Sequence, residues 1–249
     1  QANARGMRAI VLKNHYESSA GVVFLVRTLV PGIEVFGGID LNLTVGGINP
    51  AAVEHMTKVS GGWGRVVWMS TFDAENQVRV SKQSRSFVSV TKGGALLPET
   101  EQVLALIARY NLVLATGHVT AEEALLLLRE ARVRGVRQMI VTHAMNAPIA
   151  MTVPQMKQAA SLGAFLEFVG ANVGDATGPE RLARFVEAIR AVGPEHCILS
   201  SDLGQPGNPL PTDGFAAFLV AMRARGITDQ EIDRMARRNP ATLLGLPMP

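Results

Sequence analysis

The sequence contains a single cysteine, Cys197, which lies in an apolar segment. One cysteine cannot form an internal disulfide, and its isolation excludes a zinc site built from several thiolates. Low cysteine content is typical of proteins that work in a reducing compartment. We therefore expect a cytoplasmic protein without a disulfide framework.

The sequence also lacks long apolar runs and runs of basic residues. No segment approaches the ~20 consecutive apolar residues that cross a bilayer, and the 24 Lys and Arg residues are scattered among 21 Asp and Glu residues. This distribution argues against membrane and nucleic-acid partners. With 47% apolar residues and a formal net charge of +3, the chain can form a substantial core. The partner that we expect is a small molecule.

Short apolar segments recur along the chain, and most are followed by a polar tip and an amphipathic helix. Their continuous apolar character is typical of parallel strands that are buried on both faces. Several helices begin at capping-box patterns, such as Thr120 with Glu123 and Thr228 with Glu231. Seven strands are predicted, at residues 9–12, 34–39, 65–69, 112–115, 138–141, 164–168 and 197–200.

This repeat predicts an α/β fold, a distorted (β/α)8 TIM barrel in a single domain over residues 1–249. The chain opens in a helix-like segment that closes at Gly6, so we expect the first barrel strand to be missing from this chain. An open doubly wound sheet is the alternative. Such a sheet usually carries a Gly-rich turn after its first strand, and no G-x-G-x-x-G motif follows a strand here.

Residues 77–97 interrupt the repeat. Apolar and polar residues alternate in segments 78–80 and 87–90, which predicts a small exposed hairpin over the face where barrel active sites lie. Arg79 and Lys92 belong to this insertion, and we expect them to bind an anionic group of the substrate. A solvated basic hairpin without a function is the alternative.

Side chains of the metal-ligand type recur at the carboxyl ends of the predicted strands, namely His15, His118, His143 and Asp202. In a closed barrel these ends face one mouth. Three imidazoles and a carboxylate suit a divalent metal such as zinc, which lowers the pKa of its bound water to about 7. Asp202 would then serve as a ligand and as the general base. Taken singly, each residue also has a structural interpretation, such as capping the following helix or loop.

Two further polar residues lie in or beside the apolar strands. Lys13 precedes His15 by two residues, and strand alternation places both side chains on the same face. We expect the Lys13 ammonium to bind a substrate oxyanion. Glu167 lies inside the sixth strand, where an unpaired carboxylate would be costly. It is therefore predicted to contact the substrate or the metal, or to be paired in the core.

The strand-end residues resemble the pattern of the amidohydrolase superfamily, metal-dependent hydrolases built on a (β/α)8 barrel. That family has an H-x-H pair on strand one, a carboxylated Lys or a Glu on strand four, single His residues on strands five and six, and Asp on strand eight. With the visible strands numbered from two, His118, His143 and Asp202 match the last three positions. The segment RRNPATLLGL, residues 237–246, is similar to the closing helix of the family.

The sequence departs from the family pattern at three points. The H-x-H pair is absent. The strand at residues 65–69, which is strand four in the family numbering, offers no Lys or His. Lys13 and His15 are not part of the usual set. A carboxylated Lys13 that bridges two metals is therefore an alternative to a substrate-binding ammonium. His15 is predicted to be a metal ligand or a substrate contact.

The resemblance implies a hydrolase that binds one or two divalent metals, Zn2+ or alternatively Mn2+. A metal-activated water would attack an amide, lactone or other ester-like bond of a small, anionic substrate. A phosphoesterase of the related PHP type is an alternative, although Gln205 stands near the position where its final His is expected. The second alternative is a non-catalytic barrel that binds an anion through Lys13 and the basic insertion. Barrels of this kind often form homo-oligomers.

Overall fold

The computed structural model describes residues 1–171 and 178–248. The chain divides into two compact units, one of Gln1–Thr142 with Ala147–Ala150 and the other of His143–Asn146 with Met151–Pro249. A single domain over residues 1–249 stays a prediction. Within the described part of the chain, no helix combines the length and the apolar character needed to cross a membrane.

The first unit is built on five parallel strands, which are paired in the order β1 (Ala9–Val11), β2 (Glu34–Asp40), β3 (Gly64–Trp68), β6 (Val113–Ala115) and β7 (Gln138–Val141). Val11 lies opposite Phe36 at one end of this arrangement, and Ala115 lies opposite Ile140 at the other. The elements are β1 (Ala9–Val11), α1 (Ala20–Leu29), β2 (Glu34–Asp40), α2 (Pro50–Thr57), β3 (Gly64–Trp68), α3 (Glu75–Val80), β4 (Thr91–Lys92), β5 (Ala95–Leu96), α4 (Pro98–Arg109), β6 (Val113–Ala115), α5 (Ala121–Val133) and β7 (Gln138–Val141).

The central strands β2 and β6 are buried on both faces, as their continuous apolar sequences predicted, whereas every residue of β1 is half-buried. Every residue of β2 after Glu34 is buried, and so is every residue of β6. Gly38 in β2 allows the close approach of β3, because a Cβ atom there would lie 2.2 Å from the carbonyl oxygen of Val66. The pairing of β2 with β3 shifts register at Gly37 and Gly38.

The second unit contains the parallel pair β8 and β9, in which Leu166 lies opposite Cys197. Burial raises the pKa of the Cys197 thiol. Asn239, at the start of the last helix, donates hydrogen bonds to the carbonyl oxygens of Cys197 (2.7 Å) and Pro194 (2.9 Å) and so ties that helix to β9. The elements are α6 (Val153–Ser161), β8 (Phe165–Val169), α7 (Gly178–Val192), β9 (Cys197–Ser200), α8 (Pro211–Arg223), α9 (Asp229–Asp233) and α10 (Asn239–Leu244).

All seven predicted strands are present, and each end lies within one residue of its predicted position. The capping boxes at Thr120 and Thr228 are also confirmed, since each hydroxyl accepts the backbone N–H three residues on and each partner carboxylate accepts the cap N–H. Side-chain oxygens at these positions satisfy donors that a helix start would otherwise leave free.

The predicted hairpin between segments 78–80 and 87–90 is wrong. Residues Glu75–Val80 form helix α3, and the hairpin of this insertion is the shorter pair of β4 and β5. A three-residue segment is too short to distinguish a strand from a helix turn by its pattern. A strand would place Val78 and Val80 on the same face, whereas the helix buries Val78 and exposes Val80. The helix is favoured locally by the ion pair between Glu75 and Arg79, which lie one turn apart.

Candidate functional site

His15 and Asp40 meet at the ends of the neighbouring strands β1 and β2. Nδ1 of His15 lies 2.7 Å from Oδ2 of Asp40. The Asp40 side chain is fully buried, whereas the imidazole is 29% exposed. Among the described residues, Oδ1 of Asp40 has no hydrogen-bond partner, which is unusual because buried polar atoms are nearly always paired.

A buried polar network surrounds this pair. The Thr71 hydroxyl lies 3.1 Å from Oδ2 of Asp40 and 2.9 Å from Nδ1 of His15. Asn42 donates through Nδ2 to the Thr71 hydroxyl (2.9 Å) and to the His15 carbonyl oxygen (3.1 Å). Its Oδ1 accepts the Thr71 backbone N–H (2.9 Å) and the Ser70 hydroxyl (2.9 Å). The loops after β1, β2 and β3 are therefore held together by hydrogen bonds.

Lys13 lies beside an aromatic ring. Its Nζ is 5.6 Å from the centre of the Trp68 ring at the end of β3, a distance at which a cation is attracted to the ring face. The structure thus places Lys13 and His15 after the same strand, with Trp68 and Asp40 as their respective neighbours.

His118 follows β6, and the chain reaches it through a turn that requires glycine. Gly117 has a φ of 66°, and a Cβ atom there would lie 2.2 Å from the carbonyl oxygen of Met69. Nδ1 of His118 lies 2.8 Å from Oε1 of Gln77 on helix α3. The neighbouring Asn76 donates to the His118 carbonyl oxygen at 3.1 Å. Helix α3 therefore contacts both the ring and the backbone of His118.

A cleft of about 580 Å³ opens beside helix α3. This volume lies in the range of small-molecule sites. Arg79 forms an ion pair with Glu75, whose pKa is held below its ordinary value by a hydrogen bond from Ser89 and by Arg79, against the raising effect of burial. The cleft is lined by Glu75, Asn76, Arg79, Phe87, Ser89, Thr91, Lys92, Gly93, Leu97, Thr120 and Glu123.

In the second unit, Glu167 of β8 holds the backbone of His143. Its Oε2 accepts the His143 backbone N–H at 2.9 Å, and its Oε1 accepts the Ser200 hydroxyl at 2.8 Å. The expectation that a carboxylate in this strand has partners is confirmed. A direct contact of Glu167 with substrate or metal stays a prediction.

His143 and Asp202 share an uncommon backbone conformation at the ends of β7 and β9. Their φ angles are 24° and 49°, in a region that residues other than glycine rarely adopt. His143 is also buried. Strained backbone at strand ends is often found where a side chain must be aimed for function.

The resemblance to amidohydrolases implies a metal ion, and the described residues supply only part of a ligand set for it. His15 and His118 each have Nδ1 next to an oxygen acceptor, which is common for metal-bound imidazoles. Within the described ranges 1–171 and 178–248, however, no group of three or more His, Cys, Asp or Glu side chains is placed to hold a metal ion. The described residues therefore do not fit a complete metal centre.

Asp40, Asn42 and Thr71 were not predicted from the sequence as site residues. Asp40 ends β2 in the segment GGID, and Thr71 follows β3. The rule that selected His15, a polar residue at the end of a buried strand, would also have selected these two. Neither residue matches a position of the amidohydrolase pattern, which favoured His118, His143 and Asp202 instead.

Comparisons with known proteins bear on the fold. A model of a family of unknown function, DUF6282, matches residues 1–167. No curated protein matches the chain.

Solved hydrolase structures are similar to nearly the whole chain. An amidohydrolase from Burkholderia multivorans with bound zinc has a TM-score of 0.68 at 14% identity, with 99% of this chain and 86% of the other covered. A mutant PTE-like lactonase from Deinococcus radiodurans has a TM-score of 0.67 at 16% identity, with 98% and 83% covered. A mutant organophosphorus hydrolase has a TM-score of 0.67 at 17% identity, with 98% and 81% covered. The predicted barrel class and its resemblance to amidohydrolases are thereby confirmed at the level of the fold.

Proposed function

Because the chain belongs to the family of unknown function DUF6282 and shares the amidohydrolase fold, we propose that it is a hydrolase for an amide, lactone or other ester-like bond of a small substrate. The observation that carries the proposal is the placement of reactive side chains at strand ends. His15, Asp40, His118, His143 and Asp202 each end a strand or follow one closely. Catalytic groups of barrel enzymes come from these ends.

The first unit supplies the groups whose chemistry is best supported. The His15 imidazole, partly exposed and backed by Asp40, accepts a proton from the attacking water or binds a metal. The Lys13 ammonium stabilises the oxyanion that develops as the carbonyl is attacked, which is a common source of rate enhancement. Asp202, which follows β9, is proposed as the alternative general base for the case in which His15 binds a metal instead.

The cleft beside helix α3 is proposed to bind the substrate. Lys92 contributes a positive charge to its lining, while the charge of Arg79 is balanced by Glu75. We therefore expect Lys92 to bind an anionic substrate group more strongly than Arg79 does. Substitution Lys92→Gln should raise KM several-fold with little change in kcat, and Arg79→Gln should have a smaller effect. An equal loss of kcat in both variants would contradict this role.

One or two divalent metal ions, Zn2+ or Mn2+, are part of the proposal because a zinc-bound amidohydrolase is among the similar structures. Such an ion supplies a hydroxide at neutral pH when it is bound. The ligands proposed from the sequence are His15, His118, His143 and Asp202. Since the described residues gather no complete ligand set, no step of the reaction is assigned to a metal-bound group.

Metal analysis combined with a hydrolysis panel tests the proposal. The purified full-length protein should contain at least one equivalent of Zn or Mn and should hydrolyse a simple lactone, aryl ester or anilide. Chelation should abolish the activity, and added Zn2+ or Mn2+ should restore it. No hydrolysis and less than one equivalent of metal would overturn the proposal and favour the non-catalytic anion-binding barrel.

Single substitutions separate the proposed ligands from the other histidines. His118→Gln, His143→Gln and Asp202→Asn should each lower the metal content. His55 lies in helix α2 and His196 lies in the turn before β9, so His55→Gln and His196→Gln are matched controls that should retain the metal. Equal losses in the controls would show that the proposed ligands have no special role.

The remaining proposals concern the cellular location, the oligomeric state and the partners of the protein. From the single cysteine we propose a cytoplasmic location, and from the barrel type we propose a homo-oligomer. The scattered charges and the lack of long apolar runs are the basis for proposing neither a nucleic-acid nor a membrane partner. Fractionation of cells and light scattering after size-exclusion chromatography test the first two points.

A further inference from the structure

We propose that Asp40 is a positioning residue that holds His15 in the tautomer with its proton on Nδ1, so that Nε2 is the nitrogen that acts. The use of Nε2 in catalysis rests on the proposed hydrolytic function. The tautomer itself follows from the hydrogen bonds of the first unit, and it can be measured without a substrate.

The proton positions can be deduced from groups that can only donate or can only accept a hydrogen bond. The backbone N–H of Thr71 can only donate, so the Asn42 atom that lies 2.9 Å from it must be the amide oxygen. The His15 carbonyl can only accept, so the Asn42 atom at 3.1 Å must be the amide nitrogen. Two independent contacts thus fix the orientation of the Asn42 side chain.

The Thr71 hydroxyl is ordered by this amide. Nδ2 of Asn42 donates to Oγ1 of Thr71 at 2.9 Å, so the hydroxyl acts as an acceptor on that side. The hydroxyl proton is then free to point to Oδ2 of Asp40, 3.1 Å away. A carboxylate is an acceptor only, which makes this the direction that satisfies both groups.

Oδ2 of Asp40 then decides the tautomer of His15. Nδ1 lies 2.7 Å from this oxygen. An unprotonated Nδ1 would set a lone pair against a carboxylate oxygen, whereas a protonated Nδ1 donates a charge-assisted hydrogen bond. Because a neutral imidazole carries one N–H, the proton on Nδ1 leaves the lone pair on Nε2.

The burial of Asp40 strengthens the argument. Its side chain is fully buried, and its Oδ1 has no partner among the described residues. A carboxylate that served stability alone would be expected to have both oxygens satisfied, since an unpaired buried polar atom is costly. Here Oδ2 receives the hydrogen bonds, one of them from a ring that is 29% exposed.

Nuclear magnetic resonance of the imidazole nitrogens tests the proposal directly. Long-range 1H–15N correlation spectra of the 15N-labelled full chain are recorded at a series of rising pH values until the imidazole signals no longer change. The His15 signals are assigned by their loss in His15→Gln. We expect a protonated Nδ1 and an unprotonated Nε2 in the unsubstituted protein. A protonated Nε2 would overturn the proposal. The tautomer is read in the unsubstituted protein, and His15→Gln serves only to assign the signals.

Two variants then identify the cause. Asp40→Ala removes the acceptor and frees the Thr71 hydroxyl to donate to Nδ1, so the proton should move to Nε2. Asp73→Ala is the matched control, because Asp73 is also a buried carboxylate of this unit but pairs with Arg85 and the Leu43 N–H. This control should keep the original tautomer. An unchanged tautomer in Asp40→Ala, or the same change in Asp73→Ala, would contradict the role of Asp40.

The outcome is independent of the proposed activity. A His15 protonated on Nδ1 in a protein that hydrolyses nothing would uphold the positioning by Asp40 and reject the hydrolase. Hydrolysis by a protein whose His15 is protonated on Nε2 would uphold the hydrolase and reject the positioning by Asp40.

Discussion

In the first unit the carboxylate of Asp40 contacts the imidazole of His15, whereas in the second unit the carboxylate of Glu167 contacts the backbone of His143. Both carboxylates belong to strands and both serve a histidine near a strand end. The first bond acts on the ring and so affects which nitrogen is available for chemistry. The second acts on the main chain and so affects where the residue lies.

The difference matches the local conformation of the two histidines. The φ angle of His143 is 24°, and a hydrogen bond to its backbone N–H stabilises this uncommon geometry. For His15, the backbone is held through its carbonyl oxygen by Asn42, and the carboxylate is left to the ring. A strand-end carboxylate can therefore control either the chemistry or the position of a neighbouring histidine.

The largest expected effect is on catalysis by His15. Substitution His15→Gln removes the proposed reactive nitrogen, and the rate on the best substrate of the hydrolysis panel should fall about 10²–10⁴-fold. His55→Gln should leave the rate unchanged. A His15→Gln protein with full activity would exclude His15 from the reaction and confine Asp40 to a structural role.

The next effect concerns the stability of the second unit. Glu167→Gln leaves one acceptor oxygen for two donors, the His143 N–H and the Ser200 hydroxyl, so one donor loses its partner. The free energy of unfolding in urea should fall by about 1–3 kcal/mol. An unchanged urea midpoint would show that the backbone of His143 does not depend on this carboxylate.

A smaller loss of stability is expected when only the Ser200 hydroxyl is removed. Ser200→Ala deletes the donor and leaves Oε1 of Glu167 without it, which should cost about 0.5–1.5 kcal/mol in urea unfolding. The double variant with Glu167→Gln should lose less than the sum of the two, because both changes act on one hydrogen bond. Strict additivity would mean that Ser200 and Glu167 are not coupled.

The smallest expected effect is on the pH dependence of stability, and it comes from Glu75, a carboxylate outside the Asp40–His15 and Glu167–His143 pairs. The pKa of Glu75 is lowered by the Ser89 hydrogen bond and by Arg79. A lowered carboxyl pKa contributes stability above the ordinary pKa of Glu and loses it as the pH falls through the folded-state pKa. The unfolding free energy should therefore decrease on acidification, and slightly less so in Ser89→Ala. Urea titrations from neutral pH to about pH 3 measure the difference, and identical pH profiles would contradict the assignment.

Much of the fold could be predicted because buried parallel strands have a strong local signature. The segments at 138–141 and 197–200 were predicted to the residue. The insertion at 77–97 was predicted less well, since α3 is short and its two valines alternate as they would in a strand. Short amphipathic segments are decided by tertiary contacts rather than by their own pattern.

The candidate site was predicted in part for a similar reason. His15 and His118 could be selected by their positions after strands, and both have partners on Nδ1. Their partners, Asp40 and Gln77, are distant in the sequence, and no local pattern links them to those rings. Whether the four predicted metal ligands share one ion stays a prediction.

The sequence by itself determined the alternation of strands and helices, the helix starts at Thr120 and Thr228, and the placement of reactive residues at strand ends. These features depend on burial patterns and on hydrogen bonds between residues a few positions apart. Only the tertiary structure decided which carboxylate serves which histidine, and through which atom. Such bonds join residues 24 or 25 positions apart, and their geometry exists only after the strands have paired.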